Sequence, residues 1–361
     1  MKVTSFGNLI PLVGGFSFGA QKAFGLTPSF TASFEDFAGN DQYHGVDIHL
    51  GESRIDTEHT LPQVDVICAV PPCSSLSSSN RHAGFNVGSG CHMYNAIRVA
   101  LLSKPKIYIF ENAPEMVSKK DIGRLTRAKL ASIADEFGYD MAYVFTNSYN
   151  FDLPQNRRRS YAVAFPRGEC PMNLSVNETV KLGEKRIDHD VTKLMEDDLV
   201  TEGDEARSRM WVVNKIRERF DIDVFAHEYP GTRCFMRILE KIVSTSEIQK
   251  LGRHLFEIAE KEAWSWNALR EMRDCAKRMN GVDGFGYSPI LVMGCQYSNV
   301  IFQQSLRSLM YKERMLTQPE VSRLMGMPEE YETMHIPEWR RVLTQNCPVH
   351  TNAKVLEFVT E

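Results

Sequence analysis

The sequence lacks most of the signals that would fix its chemistry at a glance. Its 8 cysteines form no C-x-x-C pair and no zinc-ligand spacing, so a structural metal site is not expected. Cys68 and Cys73 stand five apart across a double proline, which makes neither a staple nor a metal clip. The thiols therefore read as reduced, as in a cytosolic setting. No apolar run reaches the ~18 residues of a membrane span, and no N-terminal apolar segment with a cleavage site is visible. A cytoplasmic protein with no membrane partner is the expectation. G-x-G-x-x-G is missing, which speaks against a nicotinamide dehydrogenase. Net charge is only −4, so bulk charge does not announce a nucleic-acid partner, although a local basic cleft is enough for one. There is no internal repeat and no low-complexity tail.

What is present is a chain of 361 residues, 43% hydrophobic and 24% charged. That length suits two domains, or one large domain with an insertion. The stretch that organises it runs from Asp65 to Ser77. Val64 to Val70 is short, apolar and β-branched, which reads as a buried parallel strand. Pro71 and Pro72 end it, because proline donates no ladder hydrogen bond. Cys73 then sits just past the carboxyl end of a strand, where open α/β sheets hold their ligands. Taken by itself it is either a small buried hydrophobe or a nucleophile.

Upstream, Asn8 to Phe24 reads as strand, Gly14-Gly15 turn and helix. Phe30 to Phe34 is a second strand ending at Glu35-Asp36, and Gly45 to Ile48 is a short strand-like piece carrying Asp47. An acidic residue at such a strand end either takes a ribose or lies in a solvated turn. Downstream, residues 74–90 have no periodicity and read as a loop, with Arg81 and His82 in it. Cys91 to Ser103 is helical. Lys106 to Pro114 is a buried strand running into Glu111-Asn112, where a carboxylate is expensive unless paired or used. Lys119 to Phe137 is an amphipathic helix, and Tyr143–Thr146 and Tyr161–Phe165 are strands. Between them, Leu153 to Ser160 is a connection holding Arg157, Arg158 and Arg159.

Past Pro166 the strand–helix alternation stops. Charged helices are expected over Arg207–Arg219 and Ile248–Met279, with Trp264 and Trp266 as core aromatics. Thr317 and Glu320 make a capping-box pattern for a helix that Gly326 and Pro328 stop. Gln345-Asn346 and a short helical tail follow.

In this order the Gly-Gly turn, acidic strand end, Val-Asp-Ile, Pro-Pro-Cys, Glu-Asn, Gln-Asn-Arg-Arg-Arg, Arg-x-Leu-Thr and Gln-Asn motifs resemble the cytosine-C5 DNA methyltransferase family. The resemblance spans about residues 5–167 and 310–357. It implies a doubly wound, mostly parallel α/β sheet of Rossmann-like methyltransferase type with a smaller, irregular target-recognition domain. The expected division is 1–178 catalytic, 179–303 target recognition and 304–361 returning to the catalytic domain. It further implies S-adenosyl-L-methionine as cofactor, no metal, and double-stranded DNA bound by a monomer. By the same resemblance, Cys73 is the nucleophile that adds to C6 of a flipped-out cytosine, Glu111 acts at N3, and Arg159, with Arg157, holds O2 or the nucleotide's phosphate. Val13, Gly14 and Gly15 hold the methionine end, Glu35 the ribose, and Asp47 and Ile48 the adenine. Pro72 and Asn346 complete the cofactor pocket. The chain departs from the family pattern in Asn8, Ile10 and Leu12 before the Gly-Gly turn, in Ser74 and Leu76 after the cysteine, and in Gln345. The alternatives are a cytosine-C5 transferase acting on RNA, a variant using a modified cofactor, and a non-catalytic DNA-binding relative.

Overall fold

The computed structural model describes residues 1–33, 47–49, 61–71, 90–151, 153, 155–183, 194–195, 203–223, 232–234, 239, 242–279, 291–293, 301–302, 309–311, 314–336 and 339–361. The chain divides into two compact units. One joins Met1–Ile187 to Ser322–Glu361; the other is Asp188–Val321.

The first unit is built on a sheet of eight strands: β1 (Phe6–Leu9), β2 (Phe30–Ser33), β3 (Asp47–His49), β4 (Val66–Ala69), β5 (Ile107–Asn112), β6 (Tyr139–Asn147), β7 (Arg158–Pro166) and β8 (Thr179–Leu182). Their order is β3-β2-β1-β4-β5-β7-β6-β8. All neighbours are parallel except β7, which runs against both β5 and β6. The order reverses between β1 and β4, and a switch point of this kind opens a crevice at the carboxyl ends of the strands. This is the doubly wound, Rossmann-like sheet that the family resemblance implies.

Successive residues of a strand face opposite sides, and both sides here are covered. Ile67, Ala69, Tyr108 and Phe110 pack against α2 (Gly90–Leu102) and α3 (Asp121–Glu136). Val66, Cys68, Ile107 and Ile109 pack with Phe16 and Ala20 of α1 (Gly15–Phe24) and with Val355, Leu356 and Val359 of the C-terminal helix Val349–Thr360. The chain's end thus completes the layer that its beginning starts.

Two local expectations change. Residues 153–160 are not all connection: β6 continues to Asn147 and pairs with Arg158, so Arg158 and Arg159 join β7. The antiparallel ladder overrides the poor strand propensity of consecutive arginines. β8 pairs with β6 and belongs to the first unit, so residues 179–182 are part of the large sheet. Pro11 lies beyond the end of β1, in the turn, where its missing N–H costs no ladder bond; its carbonyl accepts from Gly14 N–H at 2.9 Å.

The second unit combines helices Asp204–Phe220, Thr245–Glu262 and Trp266–Met279 with a four-stranded sheet of Thr232–Cys234, Leu291–Met293, Leu309–Tyr311 and Arg314–Met315. Val212, Val213, Ile216, Leu255, Cys275 and Met279 form its core. Residues 309–311 and 314–315 pair within this sheet, so the unit continues past residue 303. The helical stretch expected over Ile248–Met279 forms two helices, broken at Ala263–Ser265. Trp264 Nε1 donates to Asp204 at 2.8 Å, and Ser265 accepts from Ala268 N–H at 3.0 Å as a new N-cap. Trp266 is 71% exposed rather than a core aromatic, with Arg270 over its ring at 5.7 Å. The Thr317–Glu320 capping box forms as read, and Glu320 is also held by Arg314 in a buried two-bond ion pair of 2.6 and 2.9 Å. Among the described residues no helix is long and apolar enough to cross a membrane.

Candidate active site

β4 and β5 lie side by side, with Ala69 opposite Phe110, so Pro71 and Glu111-Asn112 emerge together at the carboxyl edge of the sheet. Asn112 ties the two ends. It is fully buried, its Nδ2 donates to the Pro71 carbonyl at 3.3 Å, and its Oδ1 accepts from Ala113 N–H at 2.8 Å. This fixes the point from which the chain departs toward Pro72 and Cys73. Pro72, Cys73, Glu35 and, of the stretch 74–90 read as a loop, residues 74–89 with Arg81 and His82 lie outside the described residues, while Gly90 begins α2.

Glu111 is 4% exposed and pairs with the Arg159 guanidinium. The register explains the meeting. Glu111 stands opposite Tyr161, and Arg159 lies two residues away on the same face of β7. A carboxylate so deeply buried is tolerable because a cation answers it. Behind the pair, the Tyr161 hydroxyl donates to Asn352 Oδ1 at 2.9 Å and lies 3.2 Å from Cys347 Sγ. Burial pushes the Cys347 thiol up to about 12, with the Glu111 charge adding to the effect, so this cysteine is an inert packing residue.

The motif Gln155-x-Arg157-x-Arg159 divides its labour. Gln155 is buried and donates to the Leu324 carbonyl. Arg157 is fully buried and donates to the carbonyls of Thr344 (3.1 Å), Gln345 (3.3 Å) and Asn346. Of the two arginines read as catalytic, then, Arg159 reaches the carboxylate while Arg157 clamps the segment that carries Asn346.

That segment meets the glycine turn. Gly14 adopts φ +88°, and α1 begins at Gly15 with no side-chain cap. Gly15 N–H donates to Asn346 Oδ1 at 3.1 Å. A Cβ on Gly15 would lie 2.1 Å from the Cys347 carbonyl, so no other residue fits. Ile10 and Leu12 both sit at φ +54°, a left-handed conformation that costs a β-branched or bulky residue free energy and that a glycine would take without strain. Asn8, fully buried, donates to Ser17 Oγ at 2.6 Å and thereby holds the strand to the first helical turn. Val13 is buried in this turn. Asp47 and Ile48 lie on β3, opposite Thr31 and Ala32 of β2.

The structure thus brings Glu111 to Arg159, and Gly15 to Asn346. Sequence reasoning assigned no role to Asn112, Tyr161, Asn352 or the Asn8–Ser17 bond. The available signal was a polar side chain inside an otherwise apolar strand or helix face, a pattern that needs a partner to be affordable.

The profile of the family described as C-5 cytosine-specific DNA methylase matches residues 5–346. The type II methyltransferase M.HgiBI of Herpetosiphon aurantiacus is 29% identical over 170 residues, 45% of this chain and 37% of that protein. The type II methyltransferase M.HhaI of Haemophilus parahaemolyticus is 29% identical over 108 residues, 30% of this chain and 32% of that protein. The matches therefore span well under half of these curated relatives. Among solved structures, a DNMT2 variant of Spodoptera frugiperda aligns over 99% of both chains with TM-score 0.54 and 14% identity. The Entamoeba histolytica methyltransferase EhMeth aligns over 99% of this chain and 98% of that one, with TM-score 0.54 and 13% identity.

Proposed function

This chain belongs to the C-5 cytosine-specific DNA methylase family, and we propose that it methylates C5 of cytosine in double-stranded DNA as a cytoplasmic monomer. The observation that carries the reading is the buried Glu111–Arg159 pair at the carboxyl end of β5, beside the Asn112-anchored end of β4 that leads to Cys73.

C5 of cytosine is a poor nucleophile, and the chain's residues answer that problem in turn. The target base leaves the stack, at a cost of ~ a few kcal/mol, to reach the carboxyl edge of the sheet. Cys73, as thiolate, adds to C6, and the electron pair of the C5–C6 double bond passes into the ring. Glu111, once it leaves its resting pair with Arg159 and takes up a proton from solvent, gives that proton to N3, while Arg159 turns to O2. Loss of the C5 proton to a base, departure of Cys73 from C6 and return of the N3 proton to Glu111 restore the aromatic ring, the thiolate and the acid. S-adenosyl-L-methionine, when bound, supplies the methyl group that C5 acquires between these two stages.

The residues at the glycine turn fit that donor. Gly14 in the left-handed region lets a polar methionine end approach main chain at the start of α1, and Asn8 Oδ1 is left as a buried acceptor. Val13, Gly15, Asp47, Ile48, Pro72, Glu35 and Asn346 complete the proposed pocket. The second unit reads the bases flanking the target in the major groove.

The test is trapping on duplex DNA carrying 5-fluorocytosine. Fluorine at C5 blocks the final elimination, so the enzyme remains joined to its substrate. The expected result is a cofactor-dependent adduct of protein, DNA and one methyl group that maps to Cys73. An adduct formed only on RNA, or no adduct on mixed-sequence duplex, overturns the proposal.

A further inference from the structure

A cavity of about 160 Å³ lies at the end of β6 and β8, lined by Phe145, Asn147, Tyr149, Asn150, Arg158 and Lys181 among others. Its position follows from the pairing. Asn147 stands opposite Arg158 and Phe145 opposite Lys181, so these four residues share one face of the sheet. Arg159, one residue on, faces the other side and Glu111. The middle of the three consecutive arginines is thus left over by the mechanism and turned into a separate site.

Both cations are exposed, and neither makes an ion pair with another described residue. Among the described residues no carboxylate lines the cavity. The floor is held rigid: Asn150 Nδ2 donates to the Gly183 carbonyl, and Thr146 Oγ1 donates to the Leu182 carbonyl at 2.9 Å. Gly183 takes φ +77°, and a Cβ there would lie 2.7 Å from Asn150, so main chain packs closely against that side chain. Two cations beside the rings of Phe145 and Tyr149 match a phosphate with its attached nucleoside.

β6 runs parallel to β5, with β7 alone between them. The cavity therefore opens at the same carboxyl edge as Glu111, and at ~4.8 Å per strand step it lies about 10–15 Å away. We infer that this cavity is a phosphate-anchoring subsite for the substrate strand, gripping a phosphodiester a few nucleotides from the extruded cytosine. The inference rests on the proposed action on DNA. It assigns Arg158 and Lys181 to positioning the polynucleotide, with no part in base chemistry.

The experiment measures duplex binding by fluorescence anisotropy across a salt series, using the full chain and its Arg158→Ala, Lys181→Ala and Lys181→Glu variants. Both positions are exposed, so folding is not at stake. Each alanine is expected to weaken binding several-fold on every sequence tested and to reduce the slope of log K against log salt by about 0.9, the value for one lost phosphate contact on B-DNA. Lys181→Glu is expected to weaken binding more than Lys181→Ala, while affinity for S-adenosylmethionine stays unchanged. Wild-type affinity and slope in all three variants overturn the inference while leaving the trapping result intact. A duplex slope that stays at the wild-type value, together with loss of binding of free deoxycytidine monophosphate in the variants, makes the cavity a site for a free nucleotide and equally overturns it. A wild-type protein that binds no duplex removes the parent reading and this one together.

Discussion

Gly15 N–H and Asn346 Oδ1 are 331 residues apart in sequence and 3.1 Å apart in space. The bond joins the first helix of the large unit to the segment returning after the second unit. It also uses the first free N–H of α1, a group that helices leave without an internal partner. The two halves of the proposed cofactor pocket are therefore built against each other.

Gly15→Ala is expected to damage both stability and cofactor binding. The added Cβ would lie 2.1 Å from the Cys347 carbonyl and 2.5 Å from Asn346 Nδ2, so main chain must move. Overpacking of this kind costs roughly 1–3 kcal/mol. Urea denaturation and calorimetry with S-adenosylmethionine check it; a variant with wild-type values on both would show that the turn is looser than described.

Arg157 and Arg159 should separate cleanly. Arg157→Ala releases the three carbonyls of Thr344, Gln345 and Asn346, and unsatisfied buried acceptors cost about 1–3 kcal/mol each. Its expected signature is lower stability by at least ~2 kcal/mol with weaker cofactor binding. Arg159→Ala should instead lose ~10²-fold or more in kcat with cofactor affinity nearly intact. The reverse pattern would exchange the roles given to the two residues.

Cys73→Ser is expected to abolish turnover and the 5-fluorocytosine adduct while leaving cofactor affinity within about twofold. Alcohols ionise far less readily than thiols, so the serine does not replace the nucleophile at neutral pH. A wild-type rate in single-turnover assays would refute the covalent mechanism.

Asp65 gives a stability change with a defined pH window. Burial alone would raise its carboxyl, but Lys106 at 2.8 Å and the Thr4 main chain and hydroxyl at 2.7 and 2.6 Å outweigh it and hold the pKa at about 2. The folded value lies below the unfolded one, so the stabilisation is complete above about pH 4 and is lost as pH falls toward 2. At ~1.4 kcal/mol per pKa unit it amounts to about 2 kcal/mol. The stability gap between wild type and Asp65→Asn should therefore shrink across that range in denaturant titrations; a constant gap would place the effect in packing.

What the sequence by itself determined is the set of short-range features: apolar strands bounded by proline, glycine and charge, amphipathic helices, and the capping box at Thr317–Glu320. Each is settled within a few residues by backbone sterics and periodicity, so β1, β2, β4, β5, α1 and α3 fall where the pattern puts them. The order of motifs was also enough to point to the family. The tertiary structure decided what pairing and burial decide. Only the ladder with β6 draws Arg158 and Arg159 into a strand and turns them to opposite faces. Only the return of the C-terminal segment gives Arg157 carbonyls to hold and brings Asn346 to Gly15. Partners separated by 187 or 331 residues leave no periodic trace in a single sequence. A buried polar side chain announces that it has a partner, and the fold alone says which one.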